Sequence, residues 1–211
     1  MAKSPARIAF LLSGSGSTLA NLFERIDDGT VPAEVVFALA DRESATGLDH
    51  ARQRGIPVAV VSRRTIRDRD AFSKAVEEAL RPYAPDWLIH GGFNTIYDVP
   101  ADLQGRALNV HPSLLPAFGG KGCYGIHVYR KVLEAGCRVT GCTVHIVTTE
   151  VDAGPIVDQQ AVRVEPGDTP ESLAARVQAA ERDLYPRAIA DMISGAARLE
   201  EGRIVRLDVE S

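Results

Sequence analysis

Short apolar segments alternate along the first half of the chain with amphipathic ones. Apolar runs bounded by glycine, proline or polar residues are typical of buried strands, whereas apolar residues spaced three and four apart indicate helices. The first predicted helix, for example, places Leu19, Leu22, Phe23 and Ile26 on one face. The pattern predicts strands at 7–12, 34–40, 57–61, 86–90 and 106–110, with further helices at 46–54 and 70–80. Strands and helices in alternation predict an α/β fold with a mostly parallel central sheet.

The pattern changes near residue 100. A helix at 126–135 is followed by a long alternating strand at 139–148, and a second strand at 156–164 is predicted as its antiparallel neighbour. Thr169-Pro170-Glu171 is a strong helix start, because proline suits the first helical position. We therefore predict a single domain over 1–211 that consists of two lobes, 1–100 and 101–211, sharing one sheet.

Composition narrows the class of protein without identifying its chemistry. The content of 45% apolar and 25% charged residues is ordinary for a globular protein, and no apolar run approaches the roughly 18 residues of a membrane span. The N-terminus leads straight into a predicted strand with no signal peptide, so we expect a cytoplasmic protein. The three cysteines form no CxxC pair, so we expect no disulfide framework. A net charge of −4 argues against nonspecific binding to nucleic acid.

The loop at 13–18, Ser-Gly-Ser-Gly-Ser-Thr, lies between the first predicted strand and a helix. Backbone N–H groups and the helix dipole favour a phosphate there, close to Gly16, Ser17 and Thr18. A dinucleotide-binding site requires a third glycine at the position of Leu19, although Asp41 partly imitates the acid that binds the ribose in such sites. A P-loop requires a lysine, which this loop lacks. A mononucleotide-type phosphate cradle is favoured, with the dinucleotide site and a turn without ligand as alternatives.

The segment at 109–116, Asn-Val-His-Pro-Ser-Leu-Leu-Pro, carries the strongest candidate chemistry. Asn109 and His111 are two apart, so at a strand end their side chains project to the same side, and Pro112 disfavours helix at His111. An amide and an imidazole that face one spot can stabilise an oxyanion and transfer a proton. Asp152, which begins the sequence Asp-Ala-Gly-Pro, is a carboxylate that could reach them. The alternative is a strand end with a capped loop and a satisfied histidine.

Two glycine-rich segments and a further histidine give weaker indications. The glycines at 91–92 leave room for a flat ligand, with Phe93 and Ile96 as apolar lining, or they form only a turn. The loop at 119–125 is either a mobile lid or a solvated connector. His145 is interpreted as a core or sheet-face residue, and no cluster has the spacing of metal ligands.

Taken together, these segments resemble the phosphoribosylglycinamide formyltransferase family over nearly the whole chain. The strongest parts are the segment at 109–116, Gly-Cys-Thr-Val-His at 141–145 and Val-Asp-Ala-Gly-Pro at 151–155. The resemblance implies a Rossmann-like fold with an antiparallel strand pair in its C-terminal half. It also implies transfer of a formyl group from the co-substrate 10-formyltetrahydrofolate to the amine of glycinamide ribonucleotide in purine biosynthesis, without a metal.

The resemblance also assigns site residues. The expected catalytic residues are Asn109, His111 and Asp152. The expected substrate contacts are Gly16, Ser17, Thr18, Arg69 and Glu181, and the expected folate contacts are Phe93, Asn94, Thr95, Ile96 and Asn109. Lobe 1–100 would then bind phosphate, and lobe 101–211 would hold the catalytic and folate-binding groups. We expect small-molecule substrates only, no nucleic acid or membrane, and a monomer or homodimer.

The sequence departs from the family pattern after Phe93. The family often has Met-Arg-Ile-Leu there, whereas this chain has Asn94, Thr95, Ile96 and Tyr97, so Thr95 offers no charge to the carboxylate-bearing tail of the folate.

Relatives with the same Asn-x-His and Asp core remain alternatives. Transfer-RNA formyltransferases add a basic C-terminal domain, whereas this sequence ends at Ser211 in an acidic tail. Formyltetrahydrofolate hydrolases add an N-terminal domain, whereas the first predicted strand here begins near Arg7. A related folate-dependent formyltransferase, such a hydrolase, and a nucleotide-binding module without catalysis stay open.

Overall fold

The computed structural model describes residues 4–207, so the acidic tail considered above lies outside the described residues. The chain divides into two compact units. The first contains the residues up to Asn109 together with Val147–Thr149, and the second contains Val110–Ile146 and the residues from Glu150 onward. The functional division into a phosphate-binding lobe and a catalytic lobe stays a prediction.

The first unit is built from alternating strands and helices, as the hydrophobic pattern predicts. Its elements are β1 (Ala6–Leu12), α1 (Ser17–Asp27), β2 (Ala33–Ala40), α2 (Leu48–Gln53), β3 (Val58–Val60), α3 (Arg69–Leu80), β4 (Trp87–Gly91) and β5 (Ala107–His111), whose last two residues belong to the second unit. Short 3-10 helices occupy Arg81–Tyr83 and Ala101–Leu103. The strands are parallel, with β1 paired to both β2 and β4. Their carboxyl ends therefore lie on one edge of the sheet.

One apolar cluster holds α3 against the sheet of the first unit. Phe72, Val76 and Leu80 are buried on one face of α3, and Leu11 and Phe37 from the strands belong to the same cluster. Burial of side chains of this size contributes about 1.5–3 kcal/mol each, which is ample to fix the helix on the sheet.

The second unit combines two helices with two antiparallel strand pairs. Its elements are α4 (Ile126–Glu134), β6 (Val139–Ile146), β7 (Ile156–Arg163), α5 (Pro170–Ser194), β8 (Ala197–Glu200) and β9 (Arg203–Arg206). β7 runs antiparallel to β6 as predicted. The start of α5 is fixed by a reciprocal cap, in which Thr169 accepts from the Ser172 N–H and Ser172 accepts from the Thr169 N–H.

The predicted fold class is confirmed. Seven strands form one sheet in the order β3-β2-β1-β4-β5-β6-β7, and β8 and β9 form a separate two-stranded sheet. Most predicted elements end within one or two residues of the observed bounds, which is the usual uncertainty at element ends. The β8–β9 pair was not predicted. No helix within residues 4–207 is both long and apolar enough to cross a membrane.

Candidate active site

The loop after β1 is shaped by the close approach of two glycines. Gly16 precedes α1 with φ +74°, and a Cβ on Gly16 would lie 2.6 Å from the Cα of Gly47. The N–H of Gly47 donates to the carbonyl oxygen of Gly14 at 3.0 Å, which ties the loop to the start of α2. Gly47 was missed from the sequence, because only the fold brings it beside Gly16.

The first turn of α1 has the features of an anion site. Its backbone N–H groups lack partners within the helix, Ser17 is exposed, and the turn contains no acidic side chain. Leu19, which occupies the position of the third glycine in a dinucleotide fingerprint, is fully buried. The geometry therefore suits a phosphate at Gly16, Ser17 and Thr18 better than a dinucleotide.

The 93–96 segment is anchored to the carboxyl ends of β1 and β2. The N–H of Asn94 donates to Ser13 Oγ at 2.9 Å, and Thr95 Oγ1 donates to Asp41 Oδ2 at 2.6 Å. Phe93 packs edge-on against the ring of Tyr97. The 93–96 segment, which contains four of the five predicted folate residues, thus holds a defined backbone, and Ile96 is 48% exposed.

The two glycines that precede this segment differ in the space around them. A Cβ on Gly91 would lie 2.3 Å from the ring of Phe10, whereas one on Gly92 would have no atom of residues 4–207 within 4 Å beyond its chain neighbours. The space at Gly91 is therefore occupied by the core. Only Gly92 leaves the open backbone that was expected for a flat ligand.

Arg69 is the first residue of α3, and its charge is already paired. Its Nη2 lies 2.5 Å from Oδ1 of Asp98. The Nε atom is buried and has no hydrogen-bond partner within residues 4–207. A phosphate contact from Arg69 would therefore use the remaining donors of the guanidinium.

His111, at the end of β5, is buried between two acceptors. Its Nδ1 lies 3.3 Å from Oδ2 of Asp152, and its Nε2 lies 2.9 Å from the carbonyl oxygen of Phe118. A carbonyl oxygen and a carboxylate accept hydrogen bonds, so each ring nitrogen faces a group to which its N–H could donate. Asn109, two residues earlier on β5, is partly exposed.

Asp152 is the centre of a cluster of polar groups in the second unit. It has φ 56°, in the left-handed region that aspartate tolerates better than most residues. Its Oδ2 accepts from the Gly120 N–H at 2.9 Å, and its Oδ1 lies 3.6 Å from Nε2 of His145. The structure therefore brings together His111 and Asp152 as predicted, and links the 119–125 loop to them.

His145 is a buried residue of β6, as expected, but it also faces this cluster. Its Nδ1 donates to the carbonyl oxygen of Ile146 at 3.0 Å. Burial lowers the pKa of His145, against the opposing effects of that hydrogen bond and of Asp152. A neutral ring beside Asp152 leaves the carboxylate to interact with His111.

Polar groups from β6 and β7 position the chain after His111. Thr143 Oγ1 donates to the carbonyl oxygen of Ser113 at 2.7 Å and accepts from the N–H of Leu115 at 3.0 Å. Gln159 Nε2 donates to both Thr143 Oγ1 and the carbonyl oxygen of Leu115. Neither Thr143 nor Gln159 was identified as a site residue from the sequence, since both act through long-range contacts.

Glu181, on α5, is half-buried. Burial raises its pKa to about 7. Burial, and then the charge of Glu181, also raise the pKa of Cys142 to about 12 and that of Tyr129 above its ordinary value. The group is therefore poised to change its charge near neutral pH.

Within residues 4–207 no set of three or more His, Cys, Asp or Glu side chains could hold a metal ion.

Comparisons of both the sequence and the structure with known proteins find similarity to formyl transferases. The family model described as Formyl transferase matches residues 6–189. The phosphoribosylglycinamide formyltransferase of Escherichia coli is 34% identical over 197 residues, which cover 92% of this chain and 90% of that protein. The crystal structure of glycinamide ribonucleotide transformylase 1 from Symbiobacterium toebii superposes with a TM-score of 0.90 at 38% identity, covering 98% of this chain and 96% of that one.

A longer relative contains the same region as one part. The trifunctional purine biosynthetic protein adenosine-3 of Bos taurus is 41% identical over 202 residues, which are 94% of this chain. The chain spans only 20% of the length of that protein.

Proposed function

The chain belongs to the formyl transferase family, and we propose that it transfers the formyl group of 10-formyltetrahydrofolate to the amine of glycinamide ribonucleotide. The observation that carries the proposal is the buried His111, whose two ring nitrogens face Asp152 and a carbonyl oxygen. The Escherichia coli and Symbiobacterium toebii relatives, whose names specify this substrate, support it.

In the proposed reaction the substrate amine attacks the formyl carbon, and negative charge develops on the formyl oxygen. The Asn109 amide and the His111 Nε2–H would stabilise this charge. The intermediate then collapses with cleavage of the bond to N10 of the folate, which leaves as tetrahydrofolate after gaining a proton, while the amine loses one. Asp152 would orient His111 and support it electrostatically, and it would accept the amine's proton through water.

The Nε2–H of His111 must change its partner for this reaction. In the structure it donates to the carbonyl oxygen of Phe118 at 2.9 Å. The formyl oxygen would replace that carbonyl when the co-substrate binds. The segment around Phe118 would then move, which agrees with the lid interpretation of the 119–125 loop.

The remaining predicted residues have roles in binding within this proposal. Gly16, Ser17 and Thr18 would bind the phosphate and Arg69 would assist, while Glu181 would contact the ribose or amide side of the substrate. The segment Phe93, Asn94, Thr95 and Ile96 would bind the folate, mainly through its backbone. We further propose that the protein is a cytoplasmic monomer or homodimer that acts on small molecules and does not bind nucleic acid or membrane.

A transferase assay tests the proposal. Purified protein is mixed with glycinamide ribonucleotide and 10-formyltetrahydrofolate, and both tetrahydrofolate and the formylated amine are measured. We expect equal amounts of the two products, with no requirement for ATP or zinc. Release of formate and tetrahydrofolate without the amine would instead identify a hydrolase, and binding without turnover would identify a nucleotide-binding module.

A further inference from the structure

His90 and Tyr97 share a buried hydrogen bond at the base of the loop that follows β4. Nε2 of His90 lies 2.8 Å from the hydroxyl oxygen of Tyr97. His90 is 4% exposed and Tyr97 is 3% exposed, so water does not compete for either group. Because one residue precedes the loop at 91–96 and the other follows it, the hydrogen bond closes this loop where it joins the core.

The ring of Phe93 packs against both members of this pair. Its centroid lies 5.6 Å from the centroid of the His90 ring and 5.6 Å from that of the Tyr97 ring. Tyr97 also belongs to the apolar cluster that holds α3 against the sheet, and Phe93 packs on the same cluster. The start of the 93–96 segment and the residue that follows it are therefore both fixed to the core of the first unit.

The Tyr97 hydroxyl is suited to a permanent hydrogen bond with the imidazole. Burial raises the pKa of Tyr97 far above its ordinary value, so the hydroxyl stays neutral at physiological pH. A neutral hydroxyl can donate as well as accept, and it can therefore pair with either tautomer of His90. Removal of one group would deprive the other of this hydrogen bond in a buried place, which costs more free energy than the bond itself contributes.

His90 also lies next to Asn109, the residue proposed to stabilise the oxyanion. The two residues are register partners on the adjacent parallel strands β4 and β5. Partners in parallel strands project to the same face of the sheet, and the strands themselves are about 4.8 Å apart. His90 therefore connects two parts of the first unit, the strand end that carries Asn109 and, through Tyr97, the 93–96 segment.

The chain directly after Tyr97 is anchored to α3. The N–H of Asp98 donates to Oγ of Ser73 at 2.9 Å, and Ser73 Oγ in turn donates to the carbonyl oxygen of Arg69 at 2.9 Å. The hydrogen bonds to Ser13 and Asp41 described above hold the middle of the segment. The pair of His90 and Tyr97 supplies the remaining anchor, which is the bond to the sheet itself.

We propose that His90 and Tyr97 are a pair of positioning residues whose hydrogen bond holds the 93–96 segment in the conformation that binds the folate co-substrate. This inference rests on the proposed function and adds two residues to it. In this role the pair acts through the backbone of the segment and not by contact with the ligand. Its loss should therefore weaken the folate and leave the phosphorylated substrate unaffected.

Ligand binding to two single variants tests the assignment. The probe is 5,8-dideazafolate, a folate analogue without a formyl group, and its Kd is measured at a temperature at which circular dichroism shows every variant folded. We expect Tyr97→Phe and His90→Leu each to raise this Kd about 3- to 10-fold, the usual scale for one lost hydrogen bond. The KM for glycinamide ribonucleotide should stay within about twofold of the wild type, because that substrate is proposed to bind at the loop of Gly16.

A double variant and a control separate the hydrogen bond from packing. His90→Leu combined with Tyr97→Phe removes both partners, so neither buried group loses a bond to the other, and its Kd for the analogue should be no higher than that of either single variant. Tyr83→Phe is the matched control. It removes the hydroxyl of a half-buried tyrosine that stacks on Phe37 and precedes β4, at the opposite edge of the sheet from the loop, and should leave the Kd unchanged.

Other outcomes overturn the inference. If Tyr97→Phe binds the analogue like the wild type, the hydrogen bond does not position the segment. If the single variants raise the Kd for the analogue and the KM for glycinamide ribonucleotide alike, or if their effects multiply in the double variant, the pair only supports the fold. If the wild type does not bind the analogue, the proposed function itself fails, which is a different result from a selective loss in the variants.

Discussion

His111 has an acceptor at each ring nitrogen, and this defines what its removal should do. Asp152 Oδ2 lies 3.3 Å from Nδ1, and the Phe118 carbonyl oxygen lies 2.9 Å from Nε2. Because alanine supplies neither a proton nor an oxyanion contact, we expect His111→Ala to lower kcat at least about a hundredfold, the usual scale for an acid–base group. Steady-state kinetics measure kcat, and circular dichroism checks that the variant folds.

The matched control for His111 is His127→Ala. His127 is an exposed histidine on α4, so its removal should leave kcat within about twofold of the wild type. A His111→Ala variant that folds and turns over like the wild type would exclude His111 from the proposed mechanism.

Two glycines of the 13–18 loop differ in what an added methyl group would meet. At Gly16 it would meet Gly47 at 2.6 Å and require φ +74°, whereas at Gly14 it would have no atom of the described residues within 4 Å beyond its chain neighbours. We expect Gly16→Ala to cost roughly 1–3 kcal/mol of unfolding free energy and to raise the KM for glycinamide ribonucleotide, because backbone strain and the clash both distort the loop. Gly14→Ala should change stability by less than about 0.5 kcal/mol. Urea unfolding measures both, and equal effects would show that the Gly16–Gly47 approach is unimportant.

The sequence identified the residues of the candidate site that local geometry or a family motif marks, including the distant Asp152, and missed residues with neither signal. Asn109 and His111 share a strand end, and Gly16 precedes a helix, so short-range rules locate them. Gly47 and Gln159 acquire their significance only when the fold brings them to Gly16 and Thr143. A single sequence contains no local signal for such pairs.

At the scale of the elements, α5 carries the clearest pH-dependent group. Burial raises the pKa of Glu181 to about 7, whereas an exposed glutamate titrates near 4.5. The folded protein therefore holds this proton more tightly than the unfolded chain, and stability is lost as the pH rises from about 4.5 through 7. We expect Glu181→Gln to be more stable than the wild type by roughly 1–3 kcal/mol at pH 8 and by clearly less at pH 5.

Urea unfolding at the two pH values measures this difference for Glu181. The control is Glu134→Gln, which changes an exposed glutamate on α4 and should shift stability alike at both pH values. A Glu181→Gln effect that is the same at pH 5 and pH 8 would mean that the carboxyl is not buried in solution.

Elements with strong local signals were predicted, and the β8–β9 pair had none. The helix predicted from Asp70 begins at Arg69, because Asp68 caps it by accepting from the Ala71 N–H. In β8 only Ala197 is buried, and β9 has no fully buried residue. Without an alternating buried face, four-residue strands show no period of two, so hydrophobic pattern alone could not predict them.

Ligand binding should raise the unfolding temperature of the whole molecule, because a ligand that binds only the folded state stabilises that state. At a concentration a hundred times Kd this stabilisation is about 2.7 kcal/mol, which corresponds to roughly 5–10 °C for a chain of this size. We expect glycinamide ribonucleotide and 5,8-dideazafolate each to raise the Tm in thermal scans.

Thermal scans of the wild type and of Gly16→Ala with each ligand distinguish the transferase from the hydrolase. In that variant the shift from glycinamide ribonucleotide should shrink while the shift from the folate analogue persists, since in the proposed function only the first ligand binds at the loop of Gly16. A hydrolase has no amine substrate, so its wild type would respond to the folate analogue alone. A wild-type protein that responds to the analogue and not to glycinamide ribonucleotide would therefore reject the transferase and favour the hydrolase.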